Sequence, residues 1–517
     1  MKGGAERAAA FPSPDVGRDR VGGRWMISLT RCLAPLALAA LAAAASAQEI
    51  PANPEKLTFK PLVYTPPSAR DYRVVLKNGM VAYVAEDKAL PLVNISITLR
   101  TGSYLEPAGK EGVAGFTGGQ MRRGGTASLS AEQLDERFDA LAAQASTSIG
   151  STSGSASLNC LADNLDESLK LFVEMLRSPR FQADRLALAQ EQTLQEMKKR
   201  NDDSADIETR EWNVLLNGET HFTNRFTTEA SVKSIGREDL VSFHRRFFFP
   251  ANMTAAVSGS LPRAEMIRRL EAAFANWPSP KVAVPLPPAT ISSVAPGLYR
   301  IQKDVNQGRV SMGLPTVKRD SPDQYALEVM NEILGGSGFT ARITKTVRSN
   351  EGLAYSAGSG LSIGVWFPGR FRAGFQSKSR SVAYATQLVL DEIRKMREAP
   401  VTAEELDTIK ASLIQTFPSN FASKAQAMGI FASDEYTRRD PTYWATYRDR
   451  IQAVTAADVQ RVARTWLVPE KLILLVVGDQ KEIDLGDPKH DAKLASLAPG
   501  GKVATVPLRD PMTMKLP

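Results

Sequence analysis

The sequence is short of the residues that most hydrolytic and metal centres are built from. It has two cysteines in 517 residues, too few for a disulfide framework or a cysteine-based zinc ribbon. It has three histidines, His221, His244 and His490, which are widely separated. A self-sufficient zinc hydrolase usually draws two or three histidines into one site, and no histidine here stands in a context suited to a nucleophile triad. Basic pairs such as Arg122-Arg123 and Arg268-Arg269 are short and dispersed. The net charge of +8 and pI near 9.3 therefore come without the compact basic stripe and interleaved aromatics of a nucleic-acid binder. With 43% hydrophobic and 23% charged residues, the chain is not a disordered one either. No apolar run reaches the roughly 18 residues of a membrane span.

The single apolar stretch of note, Leu33 to Ala45, follows Arg24 and Arg31 and ends in Ser46-Ala47-Gln48. A basic start, a short apolar run and an Ala-x-Ala end read as a secretory signal peptide cut after Ala47. Residues 1–47 are then a leader, with Met1 or Met26 as the start, and the mature chain is periplasmic or secreted, with no stable membrane insertion. Cys32 leaves with the leader. Cys160, in the alternating stretch Ser155-Ala-Ser-Leu-Asn-Cys-Leu161, reads as a buried structural thiol.

What the sequence does have is a repeat. Leu240 to Pro250 is an amphipathic helix stopped by proline, followed by the apolar strand Met253 to Gly259; Val459 to Pro469 and Leu472 to Gly478 repeat the pattern. Pro250 and Pro469 are 219 residues apart, as are Gly259 and Gly478; Phe181-Gln-Ala-Asp-Arg-Leu186 matches Val401-Thr-Ala-Glu-Glu-Leu406 at 220. A constant offset at separate positions marks two homologous domains. Between them, 284–297 is proline-rich and uncharged, an extended linker. The predicted layout is an arm at 48–71, a first domain at 72–283, the linker, a second domain at 298–483 and a surface tail at 484–517.

Within the first domain Tyr72–Leu76, Met80–Ala85 and Leu92–Leu99 alternate with period two, Lys77-Asn-Gly79 marks a hairpin turn, and Glu132–Leu141 and Leu165–Leu176 carry helical spacing. Strands beside helices predict an α+β fold, each domain a mainly antiparallel sheet with helices packed on one face.

Two motifs bear on chemistry. The first runs Gly112-Val-Ala-Gly-Phe-Thr-Gly-Gly-Gln-Met-Arg-Arg-Gly-Gly-Thr126, and it resembles the zinc-binding helix of the pitrilysin/insulinase family of inverted-motif peptidases. There Gly-x-Ala precedes His-x-x-Glu-His and a Gly-Thr follows. Gly115 and Gly119 stand where the histidines belong, Gly118 where the glutamate belongs, and the Gly-Thr is displaced by one residue. The family's third ligand, a glutamate on a later helix, falls nearest Ala187, with Glu191 and Glu196 close by. Glycine offers zinc no side-chain donor, and no acid lies between Glu111 and Glu132 to act as base. Six glycines in Gly112–Gly125, each weakening a helix by up to about 1 kcal/mol, predict a loop or frayed helix. No Gly-Lys-Ser/Thr follows to make it a phosphate cradle.

The second motif, Leu334-Gly-Gly-Ser-Gly-Phe-Thr-Ala-Arg-Ile-Thr-Lys-Thr-Val-Arg-Ser-Asn-Glu-Gly-Leu-Ala-Tyr355, resembles the family's second-domain signature. On the residues alone, Arg348 reads as a helix-end cap and Tyr355 as a core aromatic. The resemblance implies instead that both reach the substrate at a zinc site, where a guanidinium and a phenol can donate to a peptide carbonyl oxygen. It covers 70–483 and departs only at the metal site. It implies the zinc-less subunit of a heterodimeric metallopeptidase: no cofactor in this chain, zinc in a homologous partner, peptides as substrates, and no activity alone. The alternatives are an inactive homologue serving as peptide-binding or scaffold protein, and an independent hydrolase with another nucleophile.

Overall fold

In a computed structural model of the chain, residues 62–280 and 282–517 are described; the leader, Cys32 and the first part of the arm lie outside them. Two six-stranded sheets organise the molecule. The first comprises β1 (Arg73–Val75), β2 (Val81–Glu86), β3 (Leu92–Leu99), β4 (Gln144–Ile149), β5 (Gly154–Leu161) and β6 (Met253–Gly259), in the order β1-β2-β6-β3-β5-β4. The second comprises β7 (Gly297–Gln302), β8 (Gln307–Pro315), β9 (Ala357–Ser362), β10 (Arg370–Lys378), β11 (Ile473–Gly478) and β12 (Val503–Thr505), in the order β12-β7-β11-β8-β10-β9. Most neighbours are antiparallel; β2 with β6, and β7 with both β11 and β12, are parallel. The hairpin at Lys77-Asn-Gly79 forms as predicted, with Gly79 at φ +88° and its N–H donating to the Leu76 carbonyl.

The helices that matter below are α1 (Val113–Arg123), α2 (Ala183–Lys198), α3 (Ser204–Asn217), α4 (Arg237–Phe247), α5 (Ala403–Thr416), α6 (Lys424–Thr437) and α7 (Ala456–Trp466). The repeat is carried by them: α2 and α5 start 220 residues apart, α3 and α6 also 220, and α4 and α7 219. Each half packs its own helices on one face of its sheet, over a core that includes Phe138, Phe172 and Phe247 in the first half and Phe371, Val459 and Phe417 in the second. The opposite face is covered by a helix from the other half. Ile207, Trp212 and Leu215 of α3 lie on Tyr299, Ile301, Leu475 and Val477 of the second sheet. Met428 and Phe431 of α6 lie on Tyr83, Ala85 and Ala256 of the first. The exchange explains why β11 is apolar without alternation: a strand covered on both faces has no solvent side to leave polar.

The C-terminal tail belongs to this exchange. After β12 pairs with β7, Arg509 is buried against α3, where it pairs with Glu211 at 3.2 Å and Glu219 at 2.7 Å, and the Met512 carbonyl accepts from the Glu229 N–H. The tail is therefore a clasp between the halves as well as a surface segment. Cys160 is a buried free thiol on β5, and burial pushes its pKa up to about 11.

Candidate functional site

The glycine-rich stretch predicted to be a loop or frayed helix is helix α1, and tertiary packing explains the correction. Val113, Ala114, Phe116, Thr117 and Met121 are buried along it. The Glu106 carboxylate accepts from the N–H groups of Gly112 at 3.0 Å and Ala114 at 2.9 Å, satisfying two orphan donors at the helix start. Gly118 is pressed onto the edge strand β4: a Cβ there would lie 2.5 Å from the Ile149 nitrogen and 2.8 Å from the Ser148 carbonyl carbon. Thr147 Oγ1 donates to the Gly118 carbonyl at 2.7 Å. The intrinsic cost of glycine is outweighed because its missing side chain is what lets helix and strand meet.

These positions do not fit a zinc ion. Gly115, Gly118 and Gly119 supply no donor, and the site where a catalytic glutamate would emerge is filled by the β4 backbone. Ala187, Glu191 and Glu196 are exposed along α2. Among the described residues no group of three or more His, Cys, Asp or Glu side chains is placed to hold a metal. The histidines have other partners. His244 is buried on α4, where Nε2 sits 2.7 Å from the Leu176 carbonyl oxygen and the ring stacks on Phe248; burial lowers its pKa to about 4. His221 is buried between Phe222 and Phe367, Nδ1 lies 2.8 Å from Thr223 Oγ1, and burial lowers its pKa. His490 stacks on Tyr384 at 3.6 Å.

The second motif is wound differently. Glu332–Gly336 and Thr344–Asn350 are wide π-helical turns, a geometry often found at functional sites. Gly335 meets the edge strand β9 as Gly118 meets β4: a Cβ would lie 2.3 Å from the Ser359 nitrogen. Beyond it the structure brings Arg348 and Tyr355 together. The Arg348 guanidinium carbon is 4.7 Å from the centre of the Tyr355 ring and 4.5 Å from that of Phe339. Tyr355 is 85% exposed and Phe339 68%, so Tyr355 is no core residue. Apart from the guanidinium each ring is open to solvent, and the hydroxyl of Tyr355 is open to whatever docks there.

Beside this cluster is a cavity of about 510 Å³, lined by Arg348, by Arg309 of β8 and Arg372 of β10, and by Glu208 of α3. Glu208 is buried. It accepts from Ser311 Oγ at 2.5 Å and Arg372 Nη2 at 2.8 Å. No residue of α1 lines this cavity. The degenerate metal helix and the Arg348–Tyr355 pair are thus separate features of the chain. Sequence reasoning passed over Glu208, Arg309, Arg372 and Phe339. The alternation of Arg370, Arg372, Gly374 and Gln376 with Phe371, Ala373 and Phe375 along β10 was the available sign of a functional sheet face.

This combination, two sheet-and-helix halves related by a repeat with glycines in the place of an inverted zinc motif, defines a class of peptidase homologue, and comparison with known proteins agrees. The insulinase (peptidase family M16) model matches residues 81–215, and the peptidase M16 inactive-domain model matches 234–413. The chain belongs to the insulinase family. It is 21% identical over 363 residues to an uncharacterized zinc protease of Rickettsia bellii, covering 68% of this chain and 85% of that one. It is 22% identical over 402 residues to the non-peptidase homolog YmxG of Helicobacter pylori, covering 77% and 91%. In fold it is similar to a peptidase M16 inactive domain from Pseudomonas fluorescens, with TM-score 0.69, 23% identity, and 78% and 97% of the chains covered. It is also similar to the periplasmic protease PqqL from Escherichia coli, with TM-score 0.64 and 14% identity, covering 86% of this chain and 50% of that one. Among the described residues no helix is long and apolar enough to cross a membrane.

Proposed function

We propose that the chain is the zinc-less subunit of an exported two-chain metallopeptidase, with 72–283 and 298–483 as its two peptidase-like domains. The observation that carries this reading is the exposed Arg348–Tyr355 pair in a chain with no metal donors at the motif positions. A guanidinium and a phenol held together at a surface can donate to a peptide carbonyl oxygen as it gains negative charge. The metal and the base that such hydrolysis needs belong, in this reading, to a homologous zinc-bearing partner. Export rests on the leader pattern of residues 24–48 and agrees with the periplasmic description of the E. coli structural neighbour.

The closure of α1 onto β4 supports a second reading, that of an inactive homologue that binds peptides or acts as a scaffold. One experiment separates the two. Dialysed chain should carry no stoichiometric zinc and cleave no peptide, and titration into a zinc-bearing homologue should raise activity that saturates near equimolar ratio. In that pair Tyr355→Phe should lower kcat by roughly 10²–10³, the range for one lost oxyanion donor, with a much smaller change in KM. Arg348→Lys, which keeps the charge and loses the planar fork, should also be impaired. Wild-type kcat in a well-folded Tyr355→Phe pair would leave the scaffold reading standing.

A further inference from the structure

The cavity beside Arg348 is electrostatically unbalanced, and the imbalance is built into the sheet. On β8 and β10, Val310, Met312, Phe371, Ala373 and Phe375 point into the second core, so Arg309, Ser311, Arg372 and Gly374 fall on the opposite face. The register places Gly374 against Ser311 and Gly360 of β9 against Arg372. A Cβ at Gly360 would meet nothing within 4 Å, whereas one at Gly374 would lie 3.0 Å from the Val310 carbonyl oxygen, so the floor is open backbone at Gly360, beside Arg372.

Three guanidinium groups face one carboxylate. Glu208, at 5% side-chain exposure, is hydrogen-bonded by Arg372 at 2.8 Å. Arg309 Nη1 is 3.9 Å from the other Glu208 oxygen, and its Nε donates to the neutral Ser204 hydroxyl at 3.1 Å. Arg348 has aromatic neighbours and, among the described residues, no carboxylate within salt-bridge distance. One negative charge is spent on three positive ones in a concave, partly desolvated site, where a charge-assisted hydrogen bond to an incoming anion is strong. The open backbone at Gly360 suits a peptide backbone laid along the sheet, and the exposed ring of Phe339, which lines the cavity, suits a neighbouring apolar side chain.

We infer that this cavity binds a carboxylate carried by a peptide, with Arg309 as its principal partner and Arg348 as the second. The inference rests on the reading of the chain as a peptide-handling subunit and names the peptide class it prefers: one bearing an acidic side chain or a free C-terminal carboxylate.

The test uses the full mature chain alone, by fluorescence anisotropy with three short labelled peptides of otherwise identical sequence. One has an internal glutamate and an amidated C-terminus, one a glutamine there and a free C-terminus, and one a glutamine and an amidated C-terminus. At low salt, at least one carboxylate peptide should bind roughly tenfold more tightly than the neutral one, and high salt should shrink the difference. Which of the two wins assigns the source as side chain or terminus. Arg309→Gln should bring the preference to within roughly twofold, and Arg309→Glu should turn it toward a fourth peptide with lysine at that position and an amidated C-terminus, with melting curves showing both variants folded. Equal affinity of the wild type for all three peptides, no binding of any of them, or a preference untouched in folded Arg309→Glu, overturns the inference. Activity on mixing with the zinc-bearing partner is read separately, so the subunit reading can stand or fall without it.

Discussion

Gly118 and Gly335 occupy matching places in the two halves, each letting a helical turn touch the backbone of its sheet's edge strand. A Cβ would sit 2.5 Å from the Ile149 nitrogen of β4 in one case and 2.3 Å from the Ser359 nitrogen of β9 in the other. Beyond these contacts the two halves diverge. After Gly335 come the second π-turn, Arg348 and the exposed ring of Tyr355. After Gly118 the last turn of the helix carries Arg122, whose guanidinium lies over Phe138 and pairs with Asp135. The first half has the same close contact with its polar groups turned to local structure; the second keeps a cluster with nothing over it. The first-half helix is closed against its edge strand, and the exposed guanidinium–aromatic cluster lies in the second half.

The sharpest way to break the comparison is to restore a side chain at Gly118. The atoms it would strike are backbone, which cannot swing aside as a side-chain tip can. Gly118→Glu should therefore destabilise the first half by about 3 kcal/mol, the upper end for overpacking a tight contact, and should not create a zinc site even when combined with Gly115→His and Gly119→His. Urea melts of the single variant and metal analysis of the triple variant check both outcomes. Stoichiometric zinc in the triple variant would mean that α1 is free to move off β4.

Acid offers a second way to separate the halves. His244 on α4 corresponds, at the 219-residue offset, to Ala463 on α7, which is fully buried. The folded pKa of His244 lies at about 4, below the ordinary value near 6.5. The sign follows from linkage: as pH falls below about 6.5 the unfolded chain takes up a proton that the folded one refuses, so stability is intact above that pH and drains away down to about pH 4. A shift of this size amounts to about 3 kcal/mol at most. The first half should therefore loosen before the second on acidification, and His244→Phe should flatten the difference. Hydrogen exchange at pH 7 and pH 4.5, comparing amides of β6 with those of β11, reads it directly. Equal loss of protection in both halves would remove His244 as the cause.

How much of this could be read from the residues obeys the same division. The repeat, the strands at 72–99, the buried setting of Cys160 and the glycines in place of metal donors all lay in local patterns of apolar spacing and residue type. The helical state of α1 did not, because glycine content argues against it and the forces that win are distant in sequence: the Glu106 carboxylate at the helix start and the backbone of β4. Nor was the exchange of α3 and α6 legible. Glu208 and Glu211 look like the solvent face of a helix until Arg372 and Arg509 are brought to them from 164 and 298 residues away. The cavity has no motif because its arginines lie on separate strands and meet only through the register of β8 and β10.

The gentlest substitutions test whether the other two motif glycines matter to the fold at all. Gly115 and Gly119 have helical backbone, and a Cβ on either would meet nothing within 4 Å, in contrast to Gly118 on the same helix. Glycine in a helix interior is less favourable than alanine by up to about 1 kcal/mol, through backbone entropy in the unfolded chain. Gly119→Ala, in the middle of α1, should therefore stabilise the chain by about 0.5–1 kcal/mol, and Gly115→Ala, in the first turn, by somewhat less. Both should leave peptide binding unchanged, since neither residue lines the cavity beside Arg348. Chemical denaturation of the two variants beside the wild type measures the gain, with Gly118→Ala as the internal contrast that must lose stability. If Gly119→Ala is destabilising instead, the space over α1 is occupied in solution and the contrast with Gly118 fails.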